Sequence, residues 1–219
     1  MTELVFILDR SGSMSGLEPD TIGGFNSMIE KQKKEPGEAI VSTVLFDNYF
    51  EVTHDRISLA KVPLMTEKEY YVRGCTALLD AVGGAINHIG NIHKYARKED
   101  IPDKTIFVIT TDGMENASHR YTYKNVKSMI KNQQKKYGWE FIFLGANIDA
   151  VEEAGRFGID ASRAANFHCD AAGMALEYAA ISGVLSDVRS GLGISKDWKK
   201  EIEKDYKTRG RKKSTRRNR

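Results

Sequence analysis

Short apolar runs, each bounded by polar or turn-forming residues, constrain this chain most. Leu4–Leu8 (LVFIL), Ile40–Phe46 (IVSTVLF), Thr105–Ile109 (TIFVI) and Glu140–Leu144 (EFIFL) have the length and β-branched or aromatic content of buried strands. Tyr49–Thr53 (YFEVT) and the shorter Ala164–Phe167 read as two more. Amphipathic stretches lie between them. Residues 77–96 place Leu78, Leu79, Val82, Ile86 and Ile89 on one helical face, and residues 122–136 do the same with Val126, Met129 and Ile130. Residues 19–34 and the Ala-rich 149–156 and 171–188 are further helices. Apolar strands alternating with helices predict an α/β fold: a doubly wound, Rossmann-like, mostly parallel sheet of six strands. Asp47-Asn48, two turn formers between the second and third runs, predict a hairpin and hence one antiparallel edge strand.

The chain has 219 residues, enough for one domain that folds without staples. Residues 1–189 are expected to form it, 190–208 a linker and C-terminal helix, and 209–219 a basic tail. The last helix is expected over Ser195–Lys207, with Trp198, Ile202 and Tyr206 on one face. The net charge of +3 conceals a segregation. The last eleven residues hold seven Lys or Arg and no acid, so positions 1–208 carry 26 basic against 30 acidic residues. This is an acidic-leaning body with a basic appendage.

Two cysteines, Cys75 and Cys169, show neither CxxC spacing nor a disulfide framework. The N-terminus has a five-residue apolar run and no preceding basic segment, unlike a signal peptide, and no stretch approaches the ~18 apolar residues of a membrane span. A cytoplasmic, reducing setting without membrane association is expected.

In open α/β sheets, ligands bind at the carboxyl ends of the strands. The first strand runs into Asp9-Arg10-Ser11-Gly12-Ser13-Met14, an Asp-x-Ser-x-Ser segment with one carboxylate and two hydroxyls. The strand at Thr105–Ile109 runs into Thr110-Thr111-Asp112-Gly113, and Thr76 lies in a loop just before a helix. All these donors are hard oxygens, which suit Mg²⁺ or Mn²⁺ rather than a soft metal.

These three pieces, in this order, resemble the von Willebrand factor type A (vWA) family and its metal-ion-dependent adhesion site, over about residues 3–188. The longer strings Asp9–Met14 and Thr111–Asn116 look like its bacterial intracellular branch, in a bacterial or phage-encoded setting. The resemblance implies strand order 3-2-1-4-5-6 and a metal set of Asp9, Ser11, Ser13, Thr76 and Asp112. The three hydroxyls would bind the ion, and Asp9 and Asp112 would bind directly or through water. It also implies a non-enzymatic protein-interaction module, with a Glu or Asp of a partner protein completing the coordination. Glu115 and Asn116 read either as support for the ion or as the solvent side of a loop.

Other chemistries fit less well. A metal-dependent phosphohydrolase of the haloacid dehalogenase type needs a second acid two residues after the first, where this chain has Ser11. No nucleophile elbow, Walker loop or dinucleotide fingerprint is present, and the five histidines have no zinc spacing. No catalytic or organic-cofactor residues are therefore assigned. Cys75, beside Thr76, reads as a small buried filler rather than a reactive thiol. The tail 209–219 opens a second reading: a nucleic-acid-associated or virion structural protein, or docking on an acidic partner. Lys124, Lys127, Lys131 and Lys135 form a stripe that reads as the solvated face of a helix.

Overall fold

The computed structural model describes residues 1–217, with side-chain surroundings through residue 210. The expected tail therefore lies largely outside the described side chains. Six strands form one sheet: β1 (Thr2–Asp9), β2 (Ala39–Phe46), β3 (Phe50–Ser58), β4 (Lys104–Thr111), β5 (Glu140–Ala146) and β6 (Ala164–Phe167). Their order is β3-β2-β1-β4-β5-β6, with β3 alone antiparallel. β1 and β4 are the central pair, in register from Thr2↔Lys104 to Leu8↔Thr110. Their carboxyl ends thus emerge side by side, and that neighbourhood brings Asp9 close to Asp112.

Among the described residues there are six α-helices: α1 (Glu18–Lys34), α2 (Leu78–Tyr95), α3 (Tyr123–Tyr137), α4 (Ala150–Phe157), α5 (Ala171–Arg189) and α6 (Lys200–Arg217). Alternation along β1 divides the core. Leu4, Phe6 and Leu8 face α1 and α5, while Val5 and Ile7 face α2, α3 and α4. Both faces of the sheet are covered, which is why the strands read as continuous apolar runs rather than alternating ones. Phe6 meets Phe25 of α1 edge-on, with ring centroids 5.4 Å apart. Truncating such a buried Phe to Ala costs about 3–5 kcal/mol.

The helix ends carry their own signals. Pro19 and the acids Glu18 and Asp20 open α1, and Lys31, Lys33 and Lys34 close it, matching the helix dipole at both ends. Thr122 and Asn125 form a reciprocal capping box at the start of α3. Asp170 caps α5 by accepting the Gly173 amide at 2.9 Å.

Two boundaries differ from expectation. The hairpin connection has three residues, because Phe46 pairs with Phe50 and the Asp47 amide donates to the Tyr49 carbonyl at 2.9 Å. The Asp47 carboxylate accepts the Tyr49 amide at 3.0 Å, closing the turn from its own side chain. The last helix begins at Lys200 rather than Ser195 and continues to Arg217. Trp198, expected on this helix, precedes it, and its indole donates to the Ser162 carbonyl, while Ile202 is buried and Tyr206 stacks on His168 at 4.8 Å.

Candidate metal centre

The five side chains of the expected set converge at the carboxyl edge of the sheet. Asp9 ends β1, and a one-turn 3₁₀ helix, Gly12–Met14, follows it. The Ser11 amide donates to Asp9 Oδ1 at 2.7 Å, which turns the chain back over the strand end. Ser11 Oγ lies 3.1 Å from Ser13 Oγ and 3.1 Å from Thr76 Oγ1. Ser13 Oγ donates to Asp112 Oδ1. Oxygens from three separate chain segments therefore meet in one continuous cluster.

The loop of residues 62–77 delivers Thr76 and is held along its length. The Gly12 amide donates to the Gly74 carbonyl at 3.0 Å, and the Arg73 amide to the Arg10 carbonyl at 2.9 Å. A Cβ on Gly12 would sit 3.2 Å from the Gly74 carbonyl oxygen, so the close approach of these loops depends on that glycine. The buried Tyr70 hydroxyl donates to the Asp9 carbonyl at 2.5 Å.

Both carboxylates are buried, and burial sets their acidity. Asp9 is pushed up to about 6 by desolvation, which outweighs the opposing hydrogen bonds from Ser11 and Thr111. Asp112 is raised for the same reason, against its hydrogen bonds from Ser13 and Cys169. Two buried acids close enough to repel one another, beside three hydroxyls, form a cluster whose electrostatics favour an added cation. All five donors are hard oxygens, two from carboxylates and three from hydroxyls. The donor set therefore fits a hard divalent ion. Among the described residues, no three His, Cys, Asp or Glu side chains gather as a metal cluster. Three of the five groups here are hydroxyls, and the acids number two.

Glu115 and Asn116 take definite places. Asn116 Oδ1 accepts the Thr76 amide at 2.9 Å, and the Asn116 amide donates to the Thr76 carbonyl at 3.0 Å, so Asn116 clasps a candidate ligand on both sides. Glu115 accepts the Leu79 amide at the start of α2, together with the amides of Ala117 and Ser118. It caps a helix and shapes its own loop.

The cysteines are placed differently from expectation. Cys75 is exposed, not a buried filler: its amide is tied to Asn48 Oδ1 at 2.9 Å while its thiol is left outside the core. Cys169, which belongs to none of the motifs, lies 3.5 Å from Asp112 Oδ2. Burial, with the neighbouring Asp112 charge, pushes its thiol up to about 12. The signal that could have found it is its position, two residues beyond β6 at the carboxyl edge of the sheet. Four of the histidines pack or pair: His93 bonds Glu3 and meets Trp139 edge-on, His88 bonds Asp55, His54 bonds Thr43 and His168 stacks on Tyr206. Lys124, Lys131 and Lys135 are exposed and Lys127 half-buried. No helix of the described residues is long and apolar enough to cross a membrane.

No family model matches the chain, and no curated protein matches it. Solved structures do. Proximal thread matrix protein 1 from the mussel byssus is 12% identical, covering 84% of this chain and 46% of its own, with a TM-score of 0.57. A von Willebrand factor type A structure from Catenulispora acidiphila is 15% identical over 84% of this chain and 42% of its own, with a TM-score of 0.56. The ArnB paralog VWA2 from Sulfolobus acidocaldarius is 18% identical over 85% and 44%, with a TM-score of 0.51. The mussel protein has also been solved with zinc in its MIDAS motif. This chain spans less than half the length of each. At such identities the likeness is one of architecture, and the architecture is that of the von Willebrand factor type A domain.

Proposed function

We propose that the chain is a metal-dependent protein-interaction module, with Asp9, Ser11, Ser13, Thr76 and Asp112 holding Mg²⁺ or Mn²⁺. The carrying observation is the convergence of these five oxygen-bearing side chains, linked hydroxyl to hydroxyl at 3.1 Å, at one strand-end edge. The bound ion would supply an electrophilic point for a carboxylate. Two acids roughly balance a divalent charge, so an incoming Glu or Asp of a partner protein is not repelled. Ser13 and Gly12 are exposed, which leaves the site approachable from solvent. The chain's own part is to hold the hydroxyls in place and to keep both carboxylates shielded. Such a module needs no catalytic residue, and none is assigned. Its setting is proposed to be the cytoplasm of a bacterium, or of one carrying a phage.

The test is affinity capture from nuclease-treated lysate in Mg²⁺ against EDTA, with Asp9→Ala and Asp112→Ala as controls. Retention only with Mg²⁺, abolished in both variants, supports the reading. A partner that survives both substitutions removes it.

One observation favours a second reading, nucleic-acid association through the basic tail. Residues 209–217 of the expected tail continue α6, a helix docked on the domain. Arg209 pairs with Asp205 and Asp170, anchoring the base of that arm.

A further inference from the structure

Arg10 stands between the first two residues of the candidate metal set, yet its side chain turns away from them. It is buried to 1% exposure. Its guanidinium reaches three acceptors: Nε donates to Asp47 Oδ2 at 3.0 Å, Nη2 to Glu51 at 2.9 Å and Nη1 to the Glu69 carbonyl at 3.3 Å. The Tyr71 ring meets two guanidiniums, its centroid 5.1 Å from Cζ of Arg10 and 5.2 Å from Cζ of Arg73. Arg73 Nε also reaches Asp47 Oδ2, at 2.7 Å.

These contacts converge on the segment that carries Thr76. The Asp47 carbonyl accepts the Ala77 amide at 2.8 Å, and Asn48 Oδ1 accepts the Cys75 amide. Thr76 is therefore suspended between two residues that are bonded to the Asp47-Asn48 turn. That turn is in turn held by the Arg10 guanidinium. On the other side, the Arg10 amide donates to the Phe46 carbonyl at 2.8 Å, fixing its own backbone to the end of β2. Arg10 thus joins the Ser11–Ser13 loop, the hairpin turn and the 62–77 loop at one point.

The geometry points to Arg10 as a positioning residue for the metal centre: it sets where Thr76 Oγ1 stands relative to Ser11 Oγ, and so sets metal affinity without touching the ion. This inference rests on the metal-site reading above. A buried ion pair is weak evidence for stability alone, since desolvation offsets the attraction. Its better-supported use is to hold one geometry among several, and a planar fork bonding three separate acceptors does this as a lysine's point charge does not.

The test is Mn²⁺ binding to the full chain by electron paramagnetic resonance titration, with folding checked by thermal melts in EDTA. The variants are Arg10→Lys, Thr76→Ala and the double variant, with Asp112→Ala as a control for the site. Arg10→Lys is expected to weaken Mn²⁺ about tenfold or more, the usual cost of losing a residue that orients a ligand. Because both changes act on one hydroxyl, the double variant should bind about as weakly as Thr76→Ala alone. A merely structural role would not produce this coupling. Wild-type affinity in Arg10→Lys, or full additivity in the double variant, overturns the inference while leaving the metal site standing. Should Arg10→Lys fail to fold, Arg73→Ala loosens the same Asp47 link from its exposed side. It is expected to weaken Mn²⁺ with the same non-additivity, and wild-type affinity or additivity overturns the inference. No binding by the wild type, or undiminished binding by Asp112→Ala, overturns the site reading and this inference together.

Discussion

Thr111 Oγ1 donates a 2.6 Å hydrogen bond to Asp9 Oδ2, joining the ends of the two central strands inside the candidate metal centre. Thr111 directly precedes Asp112, so one residue fixes the first carboxylate while its neighbour supplies the second. Thr111→Val keeps the shape and removes the donor, leaving a buried Asp9 oxygen without that partner. The expected cost in the metal-free protein is about 1–3 kcal/mol, read by denaturant unfolding in EDTA, together with weaker Mn²⁺ binding. Unchanged stability and affinity would show that Asp9 is held well enough by Ser11 alone.

Gly113 lies against the ligand hydroxyls. An added Cβ would sit 3.1 Å from Thr76 Oγ1 and 3.3 Å from Ser13 Oγ, tighter than ordinary contact. Gly113→Ala is therefore expected to push these two oxygens off position and lower metal affinity, with little change in the melting temperature without metal. Isothermal titration with Mn²⁺ checks it; unaltered affinity would mean that the hydroxyls reach the ion from elsewhere.

Metal should also appear as stability. An ion that binds only the folded state contributes about 2.7 kcal/mol at a hundred times its Kd. For a domain of this size, that is a rise in Tm of about 5–10 °C. Wild type should show this shift on adding Mg²⁺ to EDTA-treated protein, and Asp112→Ala should not. An equal shift in both proteins would place the ion elsewhere.

Much of this arrangement is legible one element at a time. The strand runs are recognisable because both faces of the sheet are covered, so LVFIL and TIFVI carry no polar alternation. Asp9, Ser11 and Ser13 share a five-residue window, and Asp112 sits in a turn that follows a strand. Arg10 is different. Its role depends on Asp47, Glu51 and Glu69, brought in by hairpin and loop packing that no local pattern encodes. Cys169 meets Asp112 across 57 positions, a contact created by the β4-β5-β6 order and not by any spacing. Cys75 misleads for the reverse reason: its neighbour Thr76 is buried, but the loop turns between them.

Glu177 of α5 is fully buried beneath the sheet. Thr110 Oγ1 donates to its Oε1 at 2.8 Å, and its Oε2 has no partner among the described residues. Burial pushes this acid up to about 8, against 4.5 for an ordinary Glu. The folded state therefore holds a proton that the unfolded state releases between these values. Stability contributed by the protonated acid is full below about pH 4.5, falls as pH rises through about 8, and changes no further above that. The slope it imposes is at most about 1.4 kcal/mol per pH unit. Glu177→Gln imitates the protonated form and should flatten the decline, leaving the variant more stable than wild type at pH 9. Urea unfolding at pH 5, 7 and 9 measures this, and parallel profiles would mean that Glu177 is already ionised in the fold.

The basic arm makes a separate prediction, because its anchor and its charge occupy different residues. Arg209 is engaged with Asp170 and Asp205, and Tyr206 with His168, so the base of α6 belongs to the domain. Deleting residues 210–219 removes six of the seven basic residues of the last eleven and spares those contacts. Under the nucleic-acid reading, the deletion should abolish binding to duplex DNA or RNA while leaving Mn²⁺ affinity and Tm unchanged. Intact-chain affinity should also fall linearly in log–log form with salt, by about one log unit per log of salt for each phosphate contact. Fluorescence anisotropy at several salt concentrations, with and without EDTA, separates the two surfaces. Binding that survives the deletion, or that ignores salt, would remove the arm from any role with nucleic acid and leave the strand-end edge as the recognition surface.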